Sequence, residues 1–415
     1  GRCPRGAPPR TRPPADGRAS RLMASRMVVI GGGGLIGLSI ARALTGRGVD
    51  DVLVLERAEL ASGGTGKSSG IVRAHYGVPS IAKLSWNSVA TMEELGDEIG
   101  FRQVGYSVIV GDGNVAPLRA NIAMQQQLGI ETELIDVERL AAMWPHMETG
   151  DVSAVGYEPR GGFADATQLA LHFGRVARDH GATVRQNTPV ARVLTAGDTV
   201  SGVELASGER VEADEVIVAS GWWSKNLLAP LGIDFPCDAY RSELLVVDAG
   251  EPLRDLPVVS DLVSLQYCRV EGSGQFLVGN SDHDHAEDKF VDPDHYSNVA
   301  RDTTIEKYAD KIMHRFPGFP DPAVTHSYAG VYDVPPDWNP VIAPLKAVHG
   351  VTLAAGFAGH GFKMSPAVGD LVADLLLEGD STDPDIPASD FVLERFAEGR
   401  PLVSPHPYAG AGEMR

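Results

Sequence analysis

Four short apolar runs punctuate the chain: Met27 to Ile30, Val52 to Leu55, Val216 to Ala219 and Val351 to Ala355. Wholly apolar runs of this length, interrupted by glycine or charge, predict strands buried on both faces. The first is followed by a glycine turn and a helix beginning near Leu35. The last opens into the loop "GFAGHGFKMSP", residues 356–366, and then a helical stretch from Pro366 to Leu377. Between them, "GGFADATQLALHFGRVARDHGATVRQNTPVARVL" starts a new helix and strand only after a long excursion. "VSGVELASGERVEADEVIVASGWWS" then alternates as a meander that returns to a buried strand and stops at Gly221. The runs "VGYSVIV", "SELLVVD" and "GQFLVG" have the alternating or apolar character of an antiparallel sheet.

The first run carries candidate chemistry. Gly32, Gly34 and Gly37 form GxGxxG between strand and helix, a spacing that permits a tight turn, admits a pyrophosphate to the helix N-terminus and lets helix and strand pack closely. Glu56 closes the second strand 22 residues after Gly34, where a carboxylate can accept hydrogen bonds from an adenosine ribose. "ASGGTGKS", Ala61 to Ser68, nearly matches a P-loop, but "RAEL" separates it from the preceding strand. Its hydroxyls, Thr65 and Ser68, together with Ser69, are instead placed to pass over a cofactor's phosphates and ring. An NAD enzyme completes its sheet with βα units in close succession. Three separated pieces suit a longer cofactor, FAD.

Composition narrows the class. The 415 residues, 43% hydrophobic and 22% charged, are those of a globular protein with two or three cores. A net charge of −19, with no Lys/Arg cluster in the folded region, repels a phosphate backbone and excludes nucleic acid as a partner. Three cysteines without CxxC spacing indicate neither a disulfide framework nor a zinc site, and fit a reducing cytoplasm. No uncharged apolar run is long enough to span a membrane. The Arg-rich start imitates a signal peptide, but the glycines that follow fit the phosphate turn better. Residues 1–26 read as a disordered extension and residues 386–415 as a loosely held tail. "SDHDHAEDKF" reads as a solvated acidic loop, so no metal site is expected.

Six stretches, "VVIGGGGLIGLSIARAL", "LER", "TGKSSGIVRAHYG", "EVIVASGWWS", "AGVYDVPPDWNPVI" and "LAAGFAGHGFKMSPAVG", occur in the order seen in one family. Through them the chain resembles the D-amino-acid oxidase superfamily of FAD-dependent oxidoreductases, especially the branch of sarcosine oxidases (beta subunit) and N-methyl amino acid oxidases. The resemblance implies an α/β fold: a discontinuous Rossmann-like FAD-binding domain (27–105, 160–235, 330–385) with an inserted α+β substrate domain on an antiparallel sheet (106–159, 236–329). It implies FAD contacts from Gly32, Gly34, Gly37, Glu56, Arg57, Thr65, Ser68 and Ser69. Val190 would meet the adenosine end, Gly221 and Trp223 the isoalloxazine. Gly359, Gly361, Phe362 and Lys363 would pass under the pyrimidine edge.

The same resemblance makes Arg73 and Lys363 a clamp for a substrate carboxylate, with Tyr332 lining the pocket and His75 and His360 as candidates for proton handling. Tyr76 and Tyr267 are weaker pocket candidates. The implied reaction is oxidation of a carboxylate-bearing amine, an N-methyl or other amino acid, by hydride transfer to flavin N5. The product imine then hydrolyses, and electrons pass to O2 or another acceptor. Two cations also suit a 2-hydroxy acid or glycerol phosphate, and an electron-relay subunit of a larger complex is a further alternative. Three departures from the branch stand out. Gly330 occupies the position of a cysteine that attaches FAD covalently, so dissociable FAD is expected. Leu277 replaces an oxygen-activating lysine, and Gly70 stands where a second arginine precedes Arg73.

Overall fold

The computed structural model describes residues 22–253, 256–282 and 290–409. Its centre is a six-stranded sheet in the order Val341–Pro344, Val351–Ala355, Glu215–Val218, Arg26–Ile30, Asp51–Leu55, Thr183–Arg185. All neighbours are parallel except the first pair. The apolar runs are continuous because both faces are covered. Met27, Val29, Val52, Val54 and Ile217 face a layer of helices, whereas Val28, Ile30, Leu53, Leu55, Val216 and Val218 face the three-stranded meander Val190–Ala196, Thr199–Leu205, Arg210–Glu212. In the helical layer, Leu35–Gly46 packs on Ala166–Asp179 and on Gly361–Leu377, and Pro79–Leu95 packs on the last of these.

A second sheet of eight strands runs Ala323–Val334, Asp238–Asp248, Gln275–Asn280, Gln266–Glu271, Val258–Asp261, Tyr106–Val110, Ala154–Glu158, Glu133–Ile135. It is antiparallel apart from one parallel pairing, Val258–Asp261 with Tyr106–Val110. A two-stranded ribbon, Ile71–Val72 with Gly162–Phe163, connects the layers.

Four sequence expectations change. The strand Ala323–Val334 pairs along its whole length with Asp238–Asp248, so a boundary at 330 cuts through a single strand. Residues 22–26 are not a disordered lead: Leu22 is buried in the helical-face core and Arg26 starts the central strand. Residues 1–21 and most of the acidic "SDHDHAEDKF" segment lie outside the described residues. Through residue 409 the tail is not loose either, because Phe391 is fully buried, Arg395 is ion-paired with Asp337 at 2.8 Å, and Tyr408 is buried.

The fourth change concerns the last helix, which begins at Gly361, capped by His360, with Pro366 inside it. Proline cannot donate to the carbonyl four residues back, here that of Phe362. The Ser365 hydroxyl takes over, donating to the Phe362 oxygen at 2.8 Å. Ser365→Ala strands that buried carbonyl, and should cost about 1–2 kcal/mol. A lowered thermal unfolding midpoint checks this.

Candidate active site

A cavity of about 870 Å3 follows the carboxyl ends of four adjacent parallel strands. In sheet order its floor is formed by Glu56 and Arg57, then Gly31, Gly33 and Gly34, then Ala219 to Gly221, then Phe357 and Gly359, whereas Gly32 and Gly37 do not line it. This is where an open parallel sheet binds ligands. At about 4.8 Å per strand the floor is long enough for a dinucleotide. The eight-stranded sheet supplies the roof through Ser242, Leu244, Gly330, Tyr332 and Asp333.

Each turn along the floor has a local cause. The Glu56 carboxylate accepts N–H bonds from Gly33 and Ala58, both at 3.0 Å, and so pins the glycine turn to the second strand. A Cβ on Gly37 would fall 2.4 Å from the Gly32 Cα, which is why helix and strand can meet there. Thr65 Oγ1 accepts from the Leu35 N–H at 3.0 Å, at the helix N-terminus. Ser68 Oγ accepts from Gly70 N–H at 3.1 Å. Thr65, Ser68, Ser69 and Val190 line the cavity. The side-chain-free floor, the carboxylate at one end and the length of the cavity fit FAD.

Arg57 lies 3.7 Å over the Trp223 ring and pairs with Asp294 at 2.9 Å. Trp223 also donates from Nε1 to Asp294 at 3.1 Å. Trp223 therefore sits with Arg57 and Asp294, and both Trp223 and Arg57 line the cavity. Gly221 does lie toward the roof, with a Cβ there 3.8 Å from Asp333. Asp333, missed by sequence reasoning although it adjoins Tyr332, accepts the Gly356 N–H at 2.6 Å and fixes the loop after the strand Val351–Ala355. Desolvation raises its pKa against the backbone donors that lower it.

At the opposite end, Gly359, Gly361 and Phe362 line the cavity, and the Tyr332 ring lies so close to Gly359 that a Cβ would come within 2.8 Å of it. A run of rings links Arg73 to the start of the last helix. The Arg73 guanidinium sits 4.1 Å from the Tyr76 ring, and that ring lies 4.9 Å from His360, the cap of the helix that carries Lys363. Arg73 and Lys363 are both buried, and Lys363 Nζ donates to the Gly359 carbonyl at 3.5 Å. Neither they nor His75 and His360 line the large cavity. His75 turns away from it: its Nε2 and the Tyr408 hydroxyl are 2.7 Å apart. Burial, helped by the Arg73 charge, holds its pKa down to about 3. His75 is thus a neutral, hydrogen-bonded residue and a poor proton carrier. Tyr267 lies across Gly279, where a Cβ would fall 2.0 Å from the ring.

The departures acquire physical reasons. Gly70 has φ +68° and a Cβ there would lie 2.1 Å from the Ala164 carbonyl, so no arginine can stand at this position. Gly330 lines the cavity, and the described cysteines, Cys237 and Cys268, are buried elsewhere. Leu277 is buried and lines a second cavity of about 730 Å3, which shares Thr65 and Ser68 with the first. Among the described residues no metal-ligand cluster occurs, and no helix is long and apolar enough to cross a membrane.

A family model described as "DAO: FAD dependent oxidoreductase" matches residues 27–375, and the chain belongs to that family. Among curated relatives, 4-methylaminobutanoate oxidase (formaldehyde-forming) of Paenarthrobacter nicotinovorans is 27% identical over 90% of this chain and 46% of its own length. Human mitochondrial dimethylglycine dehydrogenase is 25% identical over 85% and 42%. The chain thus spans about half the length of these two relatives. Sarcosine oxidase subunit beta of Arthrobacter sp is 26% identical over 92% of this chain and 93% of that one. Among solved structures, L-proline dehydrogenase from P. horikoshii superposes with a TM-score of 0.82 at 26% identity, covering 91% and 98% of the two chains.

Proposed function

We propose that this chain oxidises a secondary or tertiary amine that carries a carboxylate, of the N-methyl amino acid class, with FAD held noncovalently. The observation that carries this reading is a run of side chains from distant parts of the chain: the buried Arg73 guanidinium lies 4.1 Å from the Tyr76 ring, which lies 4.9 Å from His360, at the start of the helix that carries the buried Lys363. The names of the three relatives support it, since each refers to an N-methylated amino compound with a carboxyl group. Noncovalent FAD is supported by the absence of Cys and His among the described residues that line the cavity.

Bound FAD supplies the two-electron acceptor for the hydride that leaves the carbon next to nitrogen. Arg73 and Lys363 hold the carboxylate and so fix the direction in which that carbon points. Transfer needs the amine in its neutral form, and two nearby cations lower an amine's pKa. The helix starting at Gly361 presents its first-turn amides toward the flavin end of the cavity, where they favour negative charge. Tyr332, stacked on Tyr240 with ring centroids 6.2 Å apart, lines that end of the cavity.

Anaerobic mixing of the FAD-loaded chain with N-methyl amino acids, 2-hydroxy acids and glycerol phosphate tests the reading. Bleaching of the flavin by the amines alone is expected; bleaching by the hydroxy acids alone would replace the proposal with an alcohol dehydrogenase.

A further inference from the structure

Behind Arg73 lies a buried carboxylate that the reaction above does not use. Glu158 ends the strand Ala154–Glu158, paired with Tyr106, and is 3% exposed. Its Oε2 accepts the N–H of Ala74, the neighbour of Arg73, at 2.9 Å, and its Oε1 has no hydrogen-bond donor among the described residues. Arg73 is held over the rings of Tyr76 and Tyr106, 4.1 and 5.6 Å from their centroids, and donates from Nη1 to the His75 carbonyl. The carboxyl-terminal segment closes the far side, with Tyr408 against His75 and the Asn121 amide donating to the His406 carbonyl at 2.9 Å.

We propose that Glu158 takes up a proton when a carboxylate ligand binds at Arg73, so that one anion replaces another beside the same buried guanidinium. The inference rests on the clamp reading of Arg73. Of the two clamp cations, Arg73 is the one that acts on Glu158, and one guanidinium offsets one buried negative charge well. A second carboxylate brought beside it makes the first costly in its ionised form, and the group with the higher proton affinity neutralises.

The groups that face Glu158 leave it as the one to respond. Burial pushes its carboxyl up to about 7, opposed by the Ala74 N–H and by Arg73. His75 stays neutral near physiological pH. Burial raises the Tyr408 hydroxyl, with the charge of Glu158 adding to that, and the Tyr106 hydroxyl donates to Ser260 at 2.7 Å. Among the described residues, Arg73 is the charged group that acts on Glu158. Below the free-state pKa Glu158 is already protonated and binding moves no proton. Above it, binding must draw one from solvent, so affinity falls as pH rises. Glu158 is a positioning residue in this scheme: it balances Arg73 between turnovers and touches no substrate.

The test uses the FAD-loaded chain and (methylthio)acetate, a carboxylate without an oxidisable amine. Binding is read from the flavin's visible spectrum, and proton uptake from calorimetry in buffers of different ionisation heat. Wild type should take up close to one proton near about pH 8, and its Kd should rise about tenfold per pH unit there. Glu158→Gln should bind with little uptake and a flat Kd over the same range. Binding by wild type without proton uptake overturns the coupling alone, whether or not the variant folds. Uptake that persists in Glu158→Gln overturns the assignment to this residue. Failure of the probe to bind overturns the clamp reading and the coupling together.

Discussion

Replacing Lys363 by Met should lower kcat/KM for carboxylate-bearing amines about 100- to 1000-fold, the loss expected when one partner of a desolvated charge pair is removed. FAD content should not change, because Lys363 lies behind the cavity-lining Gly359, Gly361 and Phe362 and holds no part of the floor. Methionine suits the site, an apolar chain of similar length at a position only 6% exposed. A matched amine without its carboxylate serves as the control, since wild type and variant should oxidise it at similar, slow rates. Equal losses on both amines would mean that Lys363 supports the helix start and does not hold the ligand. Arg73 is the less clean choice for this measurement, because removing it also leaves Glu158 without its cation.

What the sequence disclosed about this site follows from how local each requirement is. The GxGxxG turn and Glu56 could be read directly, because turn, helix start and strand end lie within one short stretch and each needs a particular residue type. The start of the last helix could not, because Pro366 looks like a first-turn residue. The donor that lets it sit deeper, Ser365, works through a side-chain bond to Phe362 that no periodicity encodes. Why Gly70 stands where an arginine precedes Arg73 could not be read from the sequence. It is a matter of backbone, set by the Ala164 carbonyl just after the strand Gly162–Phe163. Composition made the tail look loose, since "SPHPYAGAGEMR" offers little apolar surface, yet Tyr408 packs against His75 and the Asn121 amide bonds the His406 carbonyl. Glu158 was invisible for the same reason: what makes it unusual is burial beside Arg73, brought about by the ribbon Ile71–Val72 with Gly162–Phe163.

The glycines of the first turn provide the second large effect, and they separate packing from cofactor approach. Gly31 has φ +67°, and a Cβ on it would lie 2.5 Å from the Ser220 Cα, a backbone atom that no rotamer change can move aside. Gly31→Ala therefore carries both a left-handed backbone penalty of about 1 kcal/mol and a clash that must push apart the ends of two paired central strands. Gly31, Gly33, Gly34 and residues 219–221 line the same cavity from those two strand ends, so their separation should abolish FAD retention and also lower the thermal midpoint of the FAD-free chain. Gly34 differs. A Cβ there meets nothing nearer than 3.6 Å within the chain, although the residue lines the cavity. Gly34→Ala should keep the wild-type midpoint without FAD and still bind FAD at least about tenfold more weakly, because a methyl group occupies the space a pyrophosphate must enter. Gel filtration with flavin absorbance, and circular dichroism melts of the FAD-free proteins, read the two effects independently. Equal FAD retention by Gly34→Ala and wild type would remove the pyrophosphate from this turn, whatever the fate of Gly31→Ala.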